Sequence, residues 1–367
     1  MRLLFIAPDM HRGGAERQWA TLIPALARRG AAARLLCLND EGPLYDEVRA
    51  AGIPATCLHL RGRTDTLALR RALTEAGSLP GAVVTRGVSP QLVGEAIARR
   101  AGAAHVLNEH TPLTPAGDLL PLRAHQTALT RLVAPRVDRV IAVTERQIEP
   151  LLGRGYHSER IVVVPNGLFE GDVRVHARAE DTRRELGLGE LDFAVLYVAN
   201  LRSEKGVGAF VDAVTAARRQ VPGLHGLLVG DGPERSALVE RIGAAEDVRL
   251  LGSRGDVPDL LAACDALCLL SEAEALPMSI LEAMALARPV LTTDVGGTVE
   301  AVVHAQTGLV VPARDTGAAA AALARLAAQP DWARELGERG QERQRRLFGG
   351  EAMVEGYERA LAEVATR

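Results

Sequence analysis

The sequence predicts an α/β protein with two doubly wound domains, each built around a parallel sheet that helices cover on both faces. Three observations favour this fold. The 367 residues exceed what one ordinary hydrophobic core accommodates. Short apolar runs alternate with amphipathic helical patterns, as in parallel sheets buried on both faces. The alternation stops at Pro165-Asn166-Gly167 and starts again after a polar stretch.

The first half alternates strands and helices without interruption, so we expect residues 1–168 to form one domain. Its predicted strands are 3–7, 33–38, 56–60, 81–86, 104–107, 139–143 and 161–164. Its predicted helices are 16–29, 45–52, 66–77, 90–101 and 122–133, with one more between the last two strands.

The second half repeats the alternation after the polar segment 169–189, which we interpret as a linker. Residues 190–348 are expected to form the second domain. Its predicted strands are 193–199, 224–229, 248–251, 266–270, 290–292 and 309–311. Its predicted helices include 207–220, 257–264 and one that follows Pro233, and an amphipathic helix is expected at 351–367. Two such domains in tandem imply a cleft between them.

The composition, with 47% hydrophobic and 24% charged residues, is that of a globular protein. No apolar run has the length of a membrane span, and the first apolar run is too short for a signal peptide. The four cysteines lack metal-ligand spacing and a disulfide framework. We therefore expect a cytoplasmic protein with reduced cysteines. A net charge of −3 and 3% aromatic residues argue against nucleic-acid binding.

Basic residues are unevenly distributed. Residues 1–170 contain 21 arginines against 16 acidic side chains. This excess could favour an anionic acceptor or peripheral contact with the inner face of a membrane. Because no cluster of four or more basic residues appears, arginines scattered over a solvated surface are the simpler explanation. Lys205 is the only lysine among 43 basic residues, which indicates a position where a compact ammonium is needed.

Two loops of the first half are candidate sites. Gly13-Gly14 lies between a predicted strand and a helix, where the helix amino terminus can bind an anion. Glycine pairs are also common in simple turns, and the GxGxxG spacing of a dinucleotide fingerprint is missing, which counts against a dehydrogenase. His110 follows another predicted strand, beside Glu109, although a lone histidine is more often structural.

Glu274 and Glu282 stand eight positions apart around Pro277. Because proline disfavours helical geometry in the preceding residue, we expect a helix to begin near Pro277, with Glu274 on the loop and Glu282 on the helix. Ser279 and Glu282 are the only polar residues at 278–287, so Glu282 should be half-buried. The alternative is a pair of solvated glutamates.

A set of motifs, in this order and spacing, resembles the family 4 retaining glycosyltransferases of the GT-B fold over residues 2 to about 348. The motifs are GGAER at 13–17, VPNG at 164–167, EKG at 204–206, VGDGPE at 229–234, DVP at 256–258, residues 271–284, DVGG at 294–297 and TGLVVP at 307–312.

The resemblance implies transfer of a sugar from a UDP- or GDP-sugar to a glycan, a lipid-linked acceptor or a small molecule, with retention and without a metal or other cofactor. The second domain would hold the donor and the first domain most of the acceptor. A carboxy-terminal helix at 349–367 would cross back to the first domain.

The resemblance also assigns roles to residues. It implies that Glu274 contacts sugar hydroxyls, that Lys205 neutralises the leaving diphosphate and that His110 lies near the transferred sugar, so these three are the catalytic candidates. Glu282 would bind the ribose hydroxyls, and the Gly13-Gly14 loop would lie beside the diphosphate.

Further donor contacts are expected in two loops. Asn200 stands where the family often has arginine, and Arg202 could supply that guanidinium instead. Ala275 replaces a common glycine. The backbone of Ala275, Leu276, Pro277 and Met278, where the helix begins, is expected to approach the donor.

Two other functions share this fold and stay open here. A nucleotide-sugar epimerase would convert the donor without an acceptor. A noncatalytic sugar-nucleotide-binding protein is the other alternative, although Lys205, Glu274 and Glu282 are all present.

Overall fold

The computed structural model describes residues 1–60, 80–111, 129–243 and 247–365. The chain divides into two compact units, one comprising Met1–Gly167 with Gly350–Arg367 and the other comprising Leu168–Gly349. Each unit has its own parallel sheet, which confirms the predicted fold class.

The sheet of the first unit has seven strands. They are β1 (Arg2–Ala7), β2 (Ala32–Cys37), β3 (Ala55–Cys57), β4 (Ala82–Thr85), β5 (Ala104–Glu109), β6 (Arg139–Ala142) and β7 (Ile161–Val163). All neighbours pair in parallel, in the order β3-β2-β1-β4-β5-β6-β7. The central strand β1 is apolar on both faces and buried after its first residue, as expected for a sheet covered by helices.

The described α-helices of this unit before the second sheet are α1 (Gly14–Arg28), α2 (Pro43–Ala50), α3 (Val88–Ala101) and α4 (Ile148–Gly153). Helix α1 buries Trp19, Leu22, Ile23 and Leu26, which lie on one helical face. Trp19 packs edge-on against Phe5 of β1, with ring centroids 5.1 Å apart. The predicted helix at 66–77 and most of that at 122–133 lie outside the described residues.

The sheet of the second unit has six strands. They are β8 (Phe193–Val198), β9 (Leu224–Val229), β10 (Val248–Gly252), β11 (Ala266–Leu269), β12 (Val290–Thr293) and β13 (Gly308–Val311). They pair in parallel in the order β10-β9-β8-β11-β12-β13. The α-helices are α5 (Ala179–Glu185), α6 (Val207–Arg218), α7 (Arg235–Ile242), α8 (Val257–Ala263), α9 (Met278–Ala285), α10 (Thr298–Ala301), α11 (Thr316–Ala328) and α12 (Pro330–Leu347).

The segment 169–189, predicted as a linker, is part of the second unit and contains α5. Arg183 donates hydrogen bonds to the carbonyl oxygens of Ala263 and Asp192 at 2.9 and 2.6 Å. The carboxylate of Asp259 accepts from the backbone N–H groups of residues 176 and 177. Hydrogen bonds of charged side chains therefore anchor this segment, which explains why its polar composition resembled a linker.

The last described helix, α13 (Gly350–Ala365), belongs to the first unit. Met353, Val354, Tyr357 and Leu361 are buried at helical spacing, as the amphipathic pattern predicted. Arg29, the C-cap residue of helix α1, pairs with glutamates 351 and 358 of helix α13 at 2.5 and 2.8 Å. Among the described helices, none has both the length and the apolar character needed to cross a membrane.

The strand orders define where ligands are expected. In the first sheet, the chain passes from β1 towards one edge and from β4 towards the other edge. In the second sheet, β8 and β11 are related in the same way. Open parallel sheets bind ligands beyond the carboxyl ends of strands at such switch points. Gly13 and Arg86 follow β1 and β4, while Lys205 and Glu274 follow β8 and β11. The topology therefore places these residues at the ligand-binding edge of each sheet.

Candidate functional site

Lys205 and Glu274 form a close ion pair in the second unit. The ammonium nitrogen of Lys205 lies 2.8 and 2.9 Å from the two carboxylate oxygens of Glu274. Glu274 is 7% exposed, whereas the Lys205 side chain is 22% exposed. A buried carboxylate is costly unless it is paired and hydrogen-bonded. The hydroxyl of Ser271 supplies the additional hydrogen bond, 2.7 Å from Glu274 Oε1.

A sharp turn brings Lys205 to the end of β11. Lys205 ends the short 3-10 helix Ser203–Lys205, and Gly206 follows with φ of 68°. A Cβ atom at Gly206 would overlap the carbonyl oxygen of Leu270, so a larger residue could not make this turn. The hydroxyl of the buried Tyr197 donates to the carbonyl oxygen of Lys205. These contacts fix the backbone that carries the ammonium.

Helix α9 begins at Met278, with Pro277 as its N-cap residue, which confirms the predicted helix start. Pro277 provides no capping side chain, so no side-chain cap covers the first N–H groups of the helix. Ala275, Leu276 and Met278 are buried around this turn. Glu282 lies one turn into the helix and is half-buried, also as predicted.

The Asp294-Val295-Gly296-Gly297 turn supports the loop that carries Glu274. The N–H group of Gly297 donates to the carbonyl oxygen of Ala275 at 2.7 Å. Gly296 has φ of 47°, and a Cβ atom there would overlap the carbonyl oxygen of Glu274. The turn can lie this close to the loop because residue 296 has no side chain.

Asn200 and Arg202 lie in the loop between β8 and Lys205, and both are exposed. The N–H group of Arg202 donates to the carbonyl oxygen of Asn200 at 2.9 Å. Arg202 therefore presents its guanidinium to solvent three residues before Lys205.

In the first unit, Gly13 is the N-cap residue of α1 and Gly14 is its first residue. Glu16, in the first turn, pairs with Arg86 at 2.5 Å. A Cβ atom at Gly13 would meet the end of the Glu16 side chain, so Gly13 and the Glu16 carboxylate lie close together. Arg86 is 6% exposed, donates to the carbonyl oxygen of Asp9 and lies over the Trp19 ring. The Gly13-Gly14 loop is thus supported by a mostly buried ion pair.

His110 lies just beyond β5 and is connected to the same cluster. Its Nε2 atom is 2.8 Å from the side-chain oxygen of Asn108, and the indole N–H of Trp19 donates to that oxygen at 2.7 Å. Burial, followed by the positive charge of Arg86, lowers the pKa of His110 to about 3, so the ring is neutral at physiological pH. Burial also raises the pKa of the neighbouring Glu109.

The structure adds four residues that the motifs did not single out as site residues. Ser271 supports Glu274, while Arg86, Trp19 and Asn108 support the Gly13-Gly14 loop and His110. Asn108 and His110 are two positions apart at a strand end, so their spacing was a usable signal. Arg86 and Trp19 join the cluster through the sheet topology, which no local pattern reveals.

The described ranges contain no group of three or more His, Cys, Asp or Glu side chains arranged to hold a metal ion. The four cysteines are unpaired thiols, and Cys37, Cys264 and Cys268 are buried.

Two family models match the chain, one in each unit. Residues 12–168 match the model described as Glycosyltransferase Family 4, and residues 192–329 match that described as Glycosyl transferases group 1.

Curated relatives agree with these matches. The alpha-maltose-1-phosphate synthase of Mycolicibacterium smegmatis is 32% identical over 275 residues, covering 66% of this chain and 68% of that protein. The N-acetyl-alpha-D-glucosaminyl L-malate synthase of Bacillus anthracis is 33% identical over 198 residues, covering 53% of this chain and 52% of that protein. The chain thus spans only about half the length of some of the relatives it matches.

Among solved structures, Anabaena Alr3699/HepE in complex with UDP-glucose superposes with a TM-score of 0.86 at 21% sequence identity. The match covers 99% of this chain and 100% of that one. This likeness concerns the fold, which is GT-B, with two Rossmann-like domains. The family models and the M. smegmatis relative establish that the chain belongs to the family 4 glycosyltransferases.

Proposed function

We propose that this protein transfers a sugar from a UDP- or GDP-sugar to an acceptor hydroxyl, with retention of the anomeric configuration and without a bound metal. The observation that carries the proposal is the Lys205–Glu274 pair at the switch point of the second sheet. The UDP-glucose bound to HepE supports a nucleotide-sugar donor.

Lys205 is assigned to the departing diphosphate. When the bond between the sugar and the diphosphate breaks, negative charge develops on the phosphate oxygens, and nearby cations and N–H groups stabilise it. Lys205 supplies an ammonium, Arg202 an exposed guanidinium, and the uncapped start of α9 at Met278 supplies N–H groups and the positive end of a helix dipole. Asn200 lies in the same loop and is assigned to the donor as well.

The two glutamates are assigned to hydroxyl groups. Glu274, held by Lys205 and Ser271, accepts from hydroxyls of the transferred sugar, and Glu282 accepts from the ribose of the nucleotide. Carboxylates suit this role because each can accept hydrogen bonds from paired hydroxyls. The buried turn from Ala275 to Met278 contributes backbone contacts to the donor. Gly13 and Gly14 are assigned to the diphosphate and His110 to the transferred sugar, as the family resemblance implies.

The reaction itself is proposed to occur on one face of the sugar. The acceptor oxygen bonds to the anomeric carbon as the bond to the diphosphate oxygen breaks. The proton of the acceptor hydroxyl passes to that leaving oxygen, so neither glutamate acts as a nucleophile. The acceptor is a sugar, a lipid-linked molecule or a small molecule.

The experiment that tests this function is a nucleotide-release assay over UDP- and GDP-sugars with a panel of acceptors. Wild type should release nucleotide faster with a productive acceptor, and Lys205→Ala and Glu282→Ala should each reduce the rate strongly while the proteins stay folded. Near wild-type turnover in both variants would refute the assignment. Each donor is also incubated without acceptor, because its conversion into another nucleotide sugar would indicate an epimerase instead.

A further inference from the structure

The side-chain amide of Asn108 has only one orientation compatible with its neighbours. The indole nitrogen of Trp19 is a donor only, so the Asn108 atom 2.7 Å from it is the amide oxygen. On the other side, Asn108 Nδ2 donates to the carbonyl oxygen of Ile141 at 3.3 Å. If the amide oxygen and nitrogen were exchanged, the NH₂ group would face the Trp19 N–H group and the amide oxygen would face the Ile141 carbonyl oxygen. Since Asn108 is fully buried, water cannot supply the hydrogen bonds that would be lost in the exchanged orientation.

This orientation determines where the His110 ring carries its proton. The Asn108 oxygen can only accept, and His110 Nε2 lies 2.8 Å from it, so Nε2 carries hydrogen. A neutral imidazole has one N–H group, which leaves Nδ1 with a free electron pair. Within the part of the chain that the structure describes, no side chain forms a hydrogen bond with His110 Nδ1.

The backbone around His110 is held as firmly as the ring. The buried amide of Gln147 donates to the carbonyl oxygens of Glu109 and Thr111, at 3.3 and 3.0 Å. Its oxygen accepts from the N–H groups of residues 143 and 144, at the end of β6. The Glu109 carboxylate accepts from the N–H group of Thr111 at 2.8 Å. Both flanks of His110 are therefore tied to the sheet.

We propose that Asn108 is a positioning residue for sugar transfer: it keeps the His110 proton on Nε2 and so presents Nδ1 as a hydrogen-bond acceptor to a hydroxyl of the bound sugar substrate. This inference rests on the proposed function. An electron pair at Nδ1 repels phosphate and carboxylate oxygens, so the group that it binds is a hydroxyl rather than an anion. Among the described residues, the charged groups around the ring include Arg86, which is paired with Glu16, and the neighbouring Glu109.

The first test is the tautomer itself, measured on the full chain labelled with ¹⁵N-histidine. Two-bond ¹H–¹⁵N correlations distinguish protonated from unprotonated ring nitrogens, and the His110→Gln spectrum identifies the His110 signals. Wild type at pH 7.5 should have a protonated Nε2 and an unprotonated Nδ1. A protonated Nδ1, or averaging of the two tautomers, would overturn the proposal, whether or not the protein transfers sugar.

The second test uses two substitutions of Asn108. In Asn108→Ala the ring should sample both tautomers, and kcat should fall about tenfold or more while donor KM changes little, because a hydrogen bond formed during reaction is lost. In the nearly isosteric Asn108→Asp, the carboxylate should stabilise a doubly protonated ring, and activity should fall as the pH decreases over a range where wild type is constant. Asn39→Asp, the same change at an exposed position, is the control and should behave like wild type.

Two outcomes separate this inference from the proposed function. Unchanged kcat in Asn108→Ala, with an active wild type, would remove the positioning role and leave transferase activity intact. An inactive wild type over all donors and acceptors, with the predicted tautomer present, would contradict the proposed function and with it the role in transfer. Should both variants unfold, the wild-type tautomer still decides the first test.

Discussion

The ammonium of Lys205 and the carboxylate of Glu274 lie 2.8 Å apart, although the two residues are 69 positions apart in the chain. They meet because β8 and β11 are neighbours in the sheet, and each residue follows the carboxyl end of its strand. In the proposed reaction the ammonium binds the diphosphate and the carboxylate binds the sugar. The ion pair therefore contacts the donor on both sides of the bond that breaks. We expect its removal to affect both the stability of the protein and its activity.

Removing the cation should destabilise the protein. Lys205→Met leaves the buried Glu274 carboxylate with Ser271 but without its cation, and we expect a loss of about 1–3 kcal/mol of unfolding free energy. The double variant Lys205→Met/Glu274→Gln should lose less, because the amide carries no charge to bury. Calorimetric melting of the single and double variants measures this. A double variant that is no more stable than Lys205→Met would show that burial of an unpaired charge is not the cause.

Glu282 should contribute to nucleotide binding. Hydrogen bonds to a charged group are worth about 1.5–3 kcal/mol, so Glu282→Ala should weaken UDP or GDP binding about ten- to hundredfold. Titration calorimetry with both nucleotides measures the affinities. Glu335→Ala, at an exposed position of α12, is the control. Equal affinities for wild type and Glu282→Ala would exclude Glu282 from the nucleotide site.

Gly296 should be essential for the shape of the Glu274 loop. Gly296→Ala introduces a Cβ atom that overlaps the Glu274 carbonyl oxygen, so the loop must move and nucleotide binding should weaken at least tenfold. Gly187→Ala is a matched control, since φ is 60° there but the added atom finds only an ordinary contact with Arg249. Both variants should lose about 1–2 kcal/mol of unfolding free energy, because alanine is strained in the left-handed backbone conformation. If both bind nucleotide alike, the overlap at 296 has no functional consequence.

His110 should make stability depend on pH in the acidic range. Its pKa is about 3 in the folded protein, well below the usual value of 6.5, so below pH 6.5 the unfolded chain binds a proton that the folded one does not. Stability is therefore lost as the pH falls through this range. Glu109, whose pKa is raised, acts in the opposite direction but is present in both proteins of the comparison.

Replacement of His110 should remove that loss. Between pH 7.5 and 5, the Tm of His110→Gln relative to wild type should rise by an amount that corresponds to about 2 kcal/mol of unfolding free energy. His110→Asn should behave alike, because the effect comes from losing the titrating ring. A Tm difference that stays constant with pH, or falls as the solution becomes more acidic, would contradict the lowered pKa.

The sequence predicted most of the secondary structure because the fold depends on local periodicity. Strand β9 has a single polar residue, His225, in an otherwise apolar and buried run, and its predicted bounds of 224–229 agree with the structure. Two features depend on contacts that local patterns do not contain. Segment 169–189 looked like a linker because polar hydrogen bonds hold it, and the alanine-rich helix α11 was not predicted because its faces differ little in polarity.

The candidate site was only partly predictable. Glu274 and Glu282 were placed correctly on loop and helix because Pro277 has a strong local effect. The pairing of Lys205 with Glu274 could not be read from the chain, since strand order within a sheet is a non-local property. The same holds for the contact between Trp19 and Asn108, which lie 89 positions apart.

Product stereochemistry tests the central claim most directly. Wild type is incubated with an α-linked UDP- or GDP-sugar, a productive acceptor and excess EDTA, and the anomeric proton of the purified product is examined by ¹H NMR. We predict an α-linked product, formed at a rate that the chelator does not change, and we predict its loss in Lys205→Ala. A β-linked product, or transfer that stops when metal ions are removed, would contradict a retaining, metal-independent mechanism.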